Sequence, residues 1–139
     1  MKLGVAKIFE AFTSPEEWAE LVKRDGYEAV VAPIDETAAD DEIAAFRNAA
    51  EANDLLIAEV GIWRGTCSDD EAARTNNIAI AKTKFELADK LGARCAVNIV
   101  GERTERGNAD DLTEEAFDRV VEVIREIIDD VKPINTFYC

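Results

Sequence analysis

The sequence has no histidine, only three prolines and three cysteines, and about half as many basic as acidic residues. With 16 lysines and arginines against 30 aspartates and glutamates, the net charge is −14, which opposes a phosphate backbone and excludes nucleic acid as the main partner. No apolar run approaches the roughly 20 residues that cross a bilayer, and the N-terminus lacks the basic, apolar and small-residue succession of an export signal. A soluble, cytoplasmic protein with no membrane partner is therefore expected. Cys67, Cys95 and Cys139 are odd in number and far apart, so neither a zinc knuckle nor a Cys-x-x-Cys redox pair can be read from them, and three free thiols are expected. No Gly-x-Gly-x-x-Gly follows the first strand and no Gly-x-x-x-x-Gly-Lys-Ser/Thr occurs anywhere, so the dinucleotide and P-loop readings fall away.

What the sequence does contain is a regular alternation. At 139 residues it is long enough for one domain, residues 1–139, burying roughly two-thirds of the surface its unfolded chain exposes. Lys2 to Lys7 alternates Leu3 and Val5 with Gly4 and Ala6, a strand with large residues on one side and small ones on the other. Ser14-Pro15-Glu16-Glu17 then opens a helix to about Asp25, with Ser14 as cap, Pro15 in the first turn, Glu17 as capping-box partner and Gly26 as left-handed stop. Trp18, Leu21 and Val22 form its apolar stripe.

Tyr27 to Pro33 is a second strand, apolar throughout Ala29 to Ala32 as a strand covered on both faces would be. A helix from about Asp40 to Asn53 follows, carrying Ile43, Phe46 and Ala50 at helical spacing. The third strand runs from Leu55 to Ile62, and Ser68-Asp69-Asp70-Glu71 reads as a capping box opening a helix to Leu91, closed by Gly92. The fourth strand spans Cys95 to Val100. Gly101 to Asp111 is a polar loop, and Thr113 caps a fourth helix. This helix carries two stripes, Phe117, Val121, Ile124, Ile128 and Val131 beside Ala116, Val120, Val123 and Ile127, more than covering one sheet demands. It is expected to pack on neighbouring helices or another subunit as well. Ile134 to Cys139 ends the chain as a fifth strand with no loop or helix after it, which reads as an incomplete or repurposed piece of a larger architecture.

Strict strand and helix alternation makes an α/β protein with a parallel sheet, and two arrangements satisfy it. One is a (βα)4β half of a TIM barrel; the other is an open five-stranded flavodoxin-like doubly wound sheet. The first strand discriminates them, because in the open sheet it lies between the second and third. The fifth strand does so too: it is the natural last strand of the open sheet and is surplus when two four-unit halves make eight strands.

Lys2 to Lys7, Trp18 to Ala32 (Trp-Ala-Glu-Leu-Val-Lys-Arg-Asp-Gly-Tyr-Glu-Ala-Val-Val-Ala) and Phe85 to Asn98 (Phe-Glu-Leu-Ala-Asp-Lys-Leu-Gly-Ala-Arg-Cys-Ala-Val-Asn) resemble the sugar phosphate isomerase/epimerase family, the xylose-isomerase-like TIM barrels. The resemblance covers nearly all of this chain and about the first half of a family member, which by the barrel template runs to roughly 250 residues. It implies a metal-assisted isomerase or epimerase of small sugars, with a divalent ion held by carboxylates and histidine at the C-terminal ends of barrel strands. The family's ligands sit mainly on strands five to eight, so the resemblance carries no metal ligand onto any residue here, and neither metal nor other cofactor is expected. Arg64 to Cys67 and Gly101 to Gly107 resemble the family less, as engineering or drift from the original substrate would leave them.

Glu59 is the one polar residue in its strand and the weak catalytic candidate. Ile57, Glu59 and Gly61 share a face by simple alternation, and a carboxylate there is costly unless it ligates or pairs, with Lys7 or another strand-end cation as the partner. Asn98, at the end of the fourth strand, can bind a sugar hydroxyl or tie down loop backbone. Trp63 and Arg64, just past the third strand, can stack on and clamp a ligand or cover an open core end. Lys7, Trp63, Arg64 and Asn98 are thus the ligand-binding candidates. Glu10, Asp35, Glu36 and Glu102 also follow strands and form an acidic rim, while Tyr138 reads as core or interface.

The leading functional expectation is a half-barrel scaffold derived from a sugar isomerase/epimerase-like barrel, self-associating as a homodimer through its strand edges and without catalytic activity by itself. The alternatives are a metal-dependent sugar isomerase/epimerase completed by a second chain, and an open-sheet module for a small ligand.

Overall fold

A computed structural model describes residues 1–6, 11–99 and 113–139. Five strands and four helices follow one another: β1 (Gly4–Val5), α1 (Pro15–Arg24), β2 (Ala29–Val31), α2 (Asp40–Ala52), β3 (Leu56–Gly61), α3 (Glu71–Leu91), β4 (Cys95–Val97), α4 (Glu114–Val131) and β5 (Phe137–Tyr138). The strands are shorter than the apolar runs that predict them. Backbone hydrogen bonds continue the ladder past their ends, as from Ala32 N–H to the Glu59 carbonyl and from Asn98 N–H to that of Cys139.

The helix starts follow local chemistry with two shifts. Ser14 Oγ accepts the Glu17 N–H at 3.2 Å, but the Glu17 carboxylate reaches one residue further than a capping box, to the N–H and hydroxyl of Thr13 at 2.6 Å each. Ser68 does not open α3; Asp70 does, accepting the Ala73 N–H at 2.9 Å. Thr113 caps α4 as its position implies, and Gly26 and Gly92 stop α1 and α3 with φ of +88° and +69°.

All five strands are parallel and lie in the order β1-β2-β3-β4-β5. This excludes the open flavodoxin-like sheet, since β1 is flanked by β2 and not inserted between β2 and β3. Each right-handed crossover steps the same way, so every helix falls on one side of the sheet. The helices form a single layer in which α1 packs on α2, α2 on α3 and α3 on α4. That is the (βα)4β half-barrel arrangement.

The core lies between this layer and the sheet. Trp18 and Phe46 meet edge to face with ring centroids 5.4 Å apart, and Phe85 meets Tyr138 at 5.3 Å. Fully buried Val22, Val30, Ile62 and Leu91 fill the same layer. Lys82 clamps α3 to α4 through Glu126 and Asp130, both at 2.6 Å. Of the two apolar stripes of α4, Val123 and Ile127 of the inner one are buried, whereas the other leaves Phe117 54 % and Ile128 37 % exposed.

The register of β3 shifts at a bulge: Val30 pairs with Ile57 but Val31 pairs with Glu59, leaving Ala58 as the extra residue. The helix-facing positions accordingly change from Leu55 and Ile57 before the bulge to Val60 and Ile62 after it. Glu59 and Gly61 therefore share the face turned away from the helices, and Ile57 does not join them. Simple alternation fails at this point because the bulge moves the strand on by one residue.

Candidate functional site

At the C-terminal ends of β2 and β3 the structure holds a cavity of about 640 Å³, lined by Val31, Pro33, Asp35 and Thr37 from the β2 side and by Glu59, Gly61 and Trp63 from the β3 side. Lys84 of α3 closes one wall. Strand ends of this kind are where the loops of α/β proteins present their chemistry.

Glu59 is half-buried and sits beside Cys95 in the β3–β4 register. Its proposed partner Lys7 lies outside the described residues, as do Glu10 and Glu102 of the acidic rim. Of the two remaining rim carboxylates, Asp35 is bound within its own loop and Glu36 is paired with α3. Asp35 accepts from the Thr37 hydroxyl at 2.6 Å and from its N–H at 2.9 Å, and these bonds, the hydroxyl first, hold the carboxyl below the usual aspartate value. Glu36 lies 3.4 Å from Lys84 Nζ, which also donates to the Gly61 carbonyl at 3.0 Å. Lys84 thus fastens the β2–α2 loop to the end of β3.

Trp63 is 54 % exposed on the cavity rim and has φ of +52°. Left-handed backbone costs a side-chain-bearing residue roughly 1–2 kcal/mol, so it persists only where neighbours hold it. Two neighbours do. The indole lies over Gly61, in the space a β-carbon there would need, and the next peptide N–H, that of Arg64, donates to Asn98 Oδ1 at 2.9 Å. The Arg64 side chain is exposed.

Asn98 is half-buried and fully engaged. Its Nδ2 donates to the Tyr138 phenol oxygen at 3.0 Å and to Thr66 Oγ1 at 3.4 Å. Burial pushes the Tyr138 phenol above its ordinary value, and the Asn98 hydrogen bond acts the other way.

The structure therefore gathers Glu59 and Trp63 around one cavity and places Asn98 and the Arg64 backbone immediately behind its rim. Sequence reasoning missed Lys84, Gly61 and Thr66. For Lys84 a signal existed, since Ala81, Lys84, Ala88 and Leu91 recur at helical spacing on the buried side of α3 and a lysine in such a stripe needs a partner. Thr66 gives none, being buried by a loop whose course depends on Asn98.

The sequence profile described as "Xylose isomerase-like TIM barrel" matches residues 19–136. The chain belongs to this family. Solved structures agree in fold. The D-psicose 3-epimerase of Clostridium cellulolyticum H10, determined with D-tagatose, superimposes with a TM-score of 0.71 at 18 % identity over 100 % of this chain and 51 % of its own. The 3-keto-D-glucoside 4-epimerase of E. coli gives 0.66 at 16 % identity over 99 % and 55 %, and the D-allulose 3-epimerase of Methylomonas sp., in complex with D-allulose, 0.62 at 16 % over 99 % and 50 %. No curated protein matches the chain by sequence. The chain spans about half the length of these barrels, and its sheet is the half-barrel of a sugar isomerase/epimerase-like fold.

Among the described residues, the metal that this barrel family implies finds no fitting donor set. No three histidine, cysteine, aspartate or glutamate side chains among them converge as ligands, and the sequence has no histidine. Among the described residues, too, no helix is long and apolar enough to cross a membrane.

Proposed function

We propose that this chain is a half-barrel scaffold of sugar isomerase/epimerase type that completes its barrel by self-association and lacks catalytic activity by itself. The observation that carries this reading is the sheet: among the described residues β1 pairs with β2 alone and β5 with β4 alone, so both edges offer free backbone groups. The surface beside those edges is apolar, with Leu3 63 % and Phe137 60 % exposed and the open flank of α4 adjoining β5 in sequence. A twofold pair of copies is the simplest closed arrangement that supplies partners to both edges. Its barrel would take a small sugar, the class acted on by the epimerases above, against the cavity of Glu59 and Trp63. Chemistry there needs groups beyond the single carboxylate that β3 provides.

Light scattering tests the association. A species of twice the 15.3 kDa chain mass is expected at micromolar concentration. Because each copy carries a net charge of −14, raising the salt should tighten the dimer by screening like-charge repulsion. A mass that stays monomeric throughout the micromolar range overturns the reading.

A further inference from the structure

The Asn98 carboxamide joins three segments that are far apart in the chain. Its Oδ1 takes the Arg64 backbone N–H at 2.9 Å, and its Nδ2 reaches Tyr138 of β5 at 3.0 Å and Thr66 at 3.4 Å. The orientation is determined by chemistry. A backbone N–H can only donate, so the carbonyl end must face Arg64, and the amino end is left for two hydroxyls, either of which can accept. Removing one hydroxyl loosens the grip on the amino end, and the carbonyl end is part of the same rigid plane.

The Arg64 N–H belongs to the peptide that follows Trp63, whose backbone is left-handed and whose indole is folded over Gly61. Such a conformation holds only while it is over-determined by its surroundings. The restraint on its C-terminal side is Asn98, and Asn98 is held in turn by Tyr138 of β5 at 3.0 Å and more loosely by Thr66 at 3.4 Å.

We propose that Asn98 is a positioning residue that relays the docking of β5 to the Trp63 rim of the strand-end cavity, so that the rim is formed only while Tyr138 holds the carboxamide. β5 is an edge strand, and edge strands are where association acts. A partner strand that pairs with the open edge of β5 and shifts Phe137–Tyr138 against β4 therefore moves Trp63, which couples assembly at the sheet edge to the shape of the cavity. This coupling to assembly rests on the self-association reading, whereas the relay inside one chain does not.

Acrylamide quenching of tryptophan fluorescence reads the relay directly, because Trp18 is fully buried and Trp63 alone is accessible; a Trp63→Phe control confirms the assignment. In Asn98→Ala and Tyr138→Phe, Trp63 should move from 54 % toward full exposure, an approximately twofold rise in its quenching constant. Asn98→Asp should restore the parent signal, since a carboxylate accepts from both the Arg64 N–H and the Tyr138 hydroxyl. A Tyr138→Phe protein that quenches like the parent overturns the relay, and so does an unchanged Asn98→Ala. If Asn98→Ala fails to fold, hydrogen exchange of the Arg64 amide in Tyr138→Phe decides: faster exchange supports the relay and unchanged exchange overturns it. Light scattering on the same samples tests association separately, so a monomeric mass sinks the self-association reading while the quenching result still decides the relay.

Discussion

The indole of Trp63 occupies the place of a side chain on Gly61. A β-carbon built there would come within 2.7 Å of Trp63 Cδ1 and 2.9 Å of Cε2. Because the obstructing ring is half-exposed and can swing outward, Gly61→Ala should expel the indole and leave the strand in place. Stability should fall by less than about 1 kcal/mol, while acrylamide quenching of Trp63 rises. Unchanged quenching in this variant would show that the ring is not seated on Gly61.

Lys84 is a lysine put to structural use. Its side chain is only 16 % exposed, and it serves the Gly61 carbonyl and the 24 % exposed Glu36 carboxylate together. Lys84→Met keeps most of the apolar stem but leaves both acceptors without their cation, and should cost about 1–2 kcal/mol in urea unfolding. Adding Glu36→Gln should recover part of that loss, because the two residues are in contact and their effects are not additive. Strict additivity would argue against the pair.

Glu17 makes a pH-dependent contribution whose sign is determined. The Thr13 hydroxyl first and the Thr13 N–H second hold its carboxyl below the ordinary glutamate value. A lowered folded-state pKa stabilises the fold above the unfolded value, and the contribution is lost as pH falls through the lowered one. Glu17→Gln should therefore melt below the parent at pH 7, and the gap should close at strongly acidic pH. A gap that is constant with pH would mean that the charge plays no part.

The three thiols should separate by reactivity. Burial raises the Cys67 thiol, and burial followed by the neighbouring Cys139 raises Cys95, while Cys139 is exposed. Thiolate is the reactive form, so limited alkylation at pH 8 followed by peptide mass spectrometry should show Cys139 modified several-fold faster than the other two. Equal rates at Cys67 or Cys95 would contradict their burial.

Particular residues show how far the sequence could be read. Ser14, Thr113, Gly26 and Gly92 do what their local patterns imply, because capping and left-handed stops involve only neighbours within a few positions. Ser68 loses the cap to Asp70, two residues on, in a run where three polar side chains could each have served. Ile57 does not share the face of Glu59, against simple alternation, because a bulge is a property of two paired strands, β2 and β3, and leaves no mark in β3 alone.

By itself the amino-acid sequence determined the alternation of strands and helices, the parallel sheet that such alternation requires, and membership of a barrel family. The first two follow from short-range periodicity, and the third from the resemblance of Lys2 to Lys7, Trp18 to Ala32 and Phe85 to Asn98 to that family. Only the tertiary structure decided the order of the strands, since a half-barrel and an open doubly wound sheet have the same local pattern and differ in how crossovers step across the sheet. It alone decided the site as well. Asn98 meets Arg64 and Tyr138 at separations of 34 and 40 residues, and Lys84 meets Gly61 across 23. Such bonds exist because the sheet brings strand ends together, which no local pattern records.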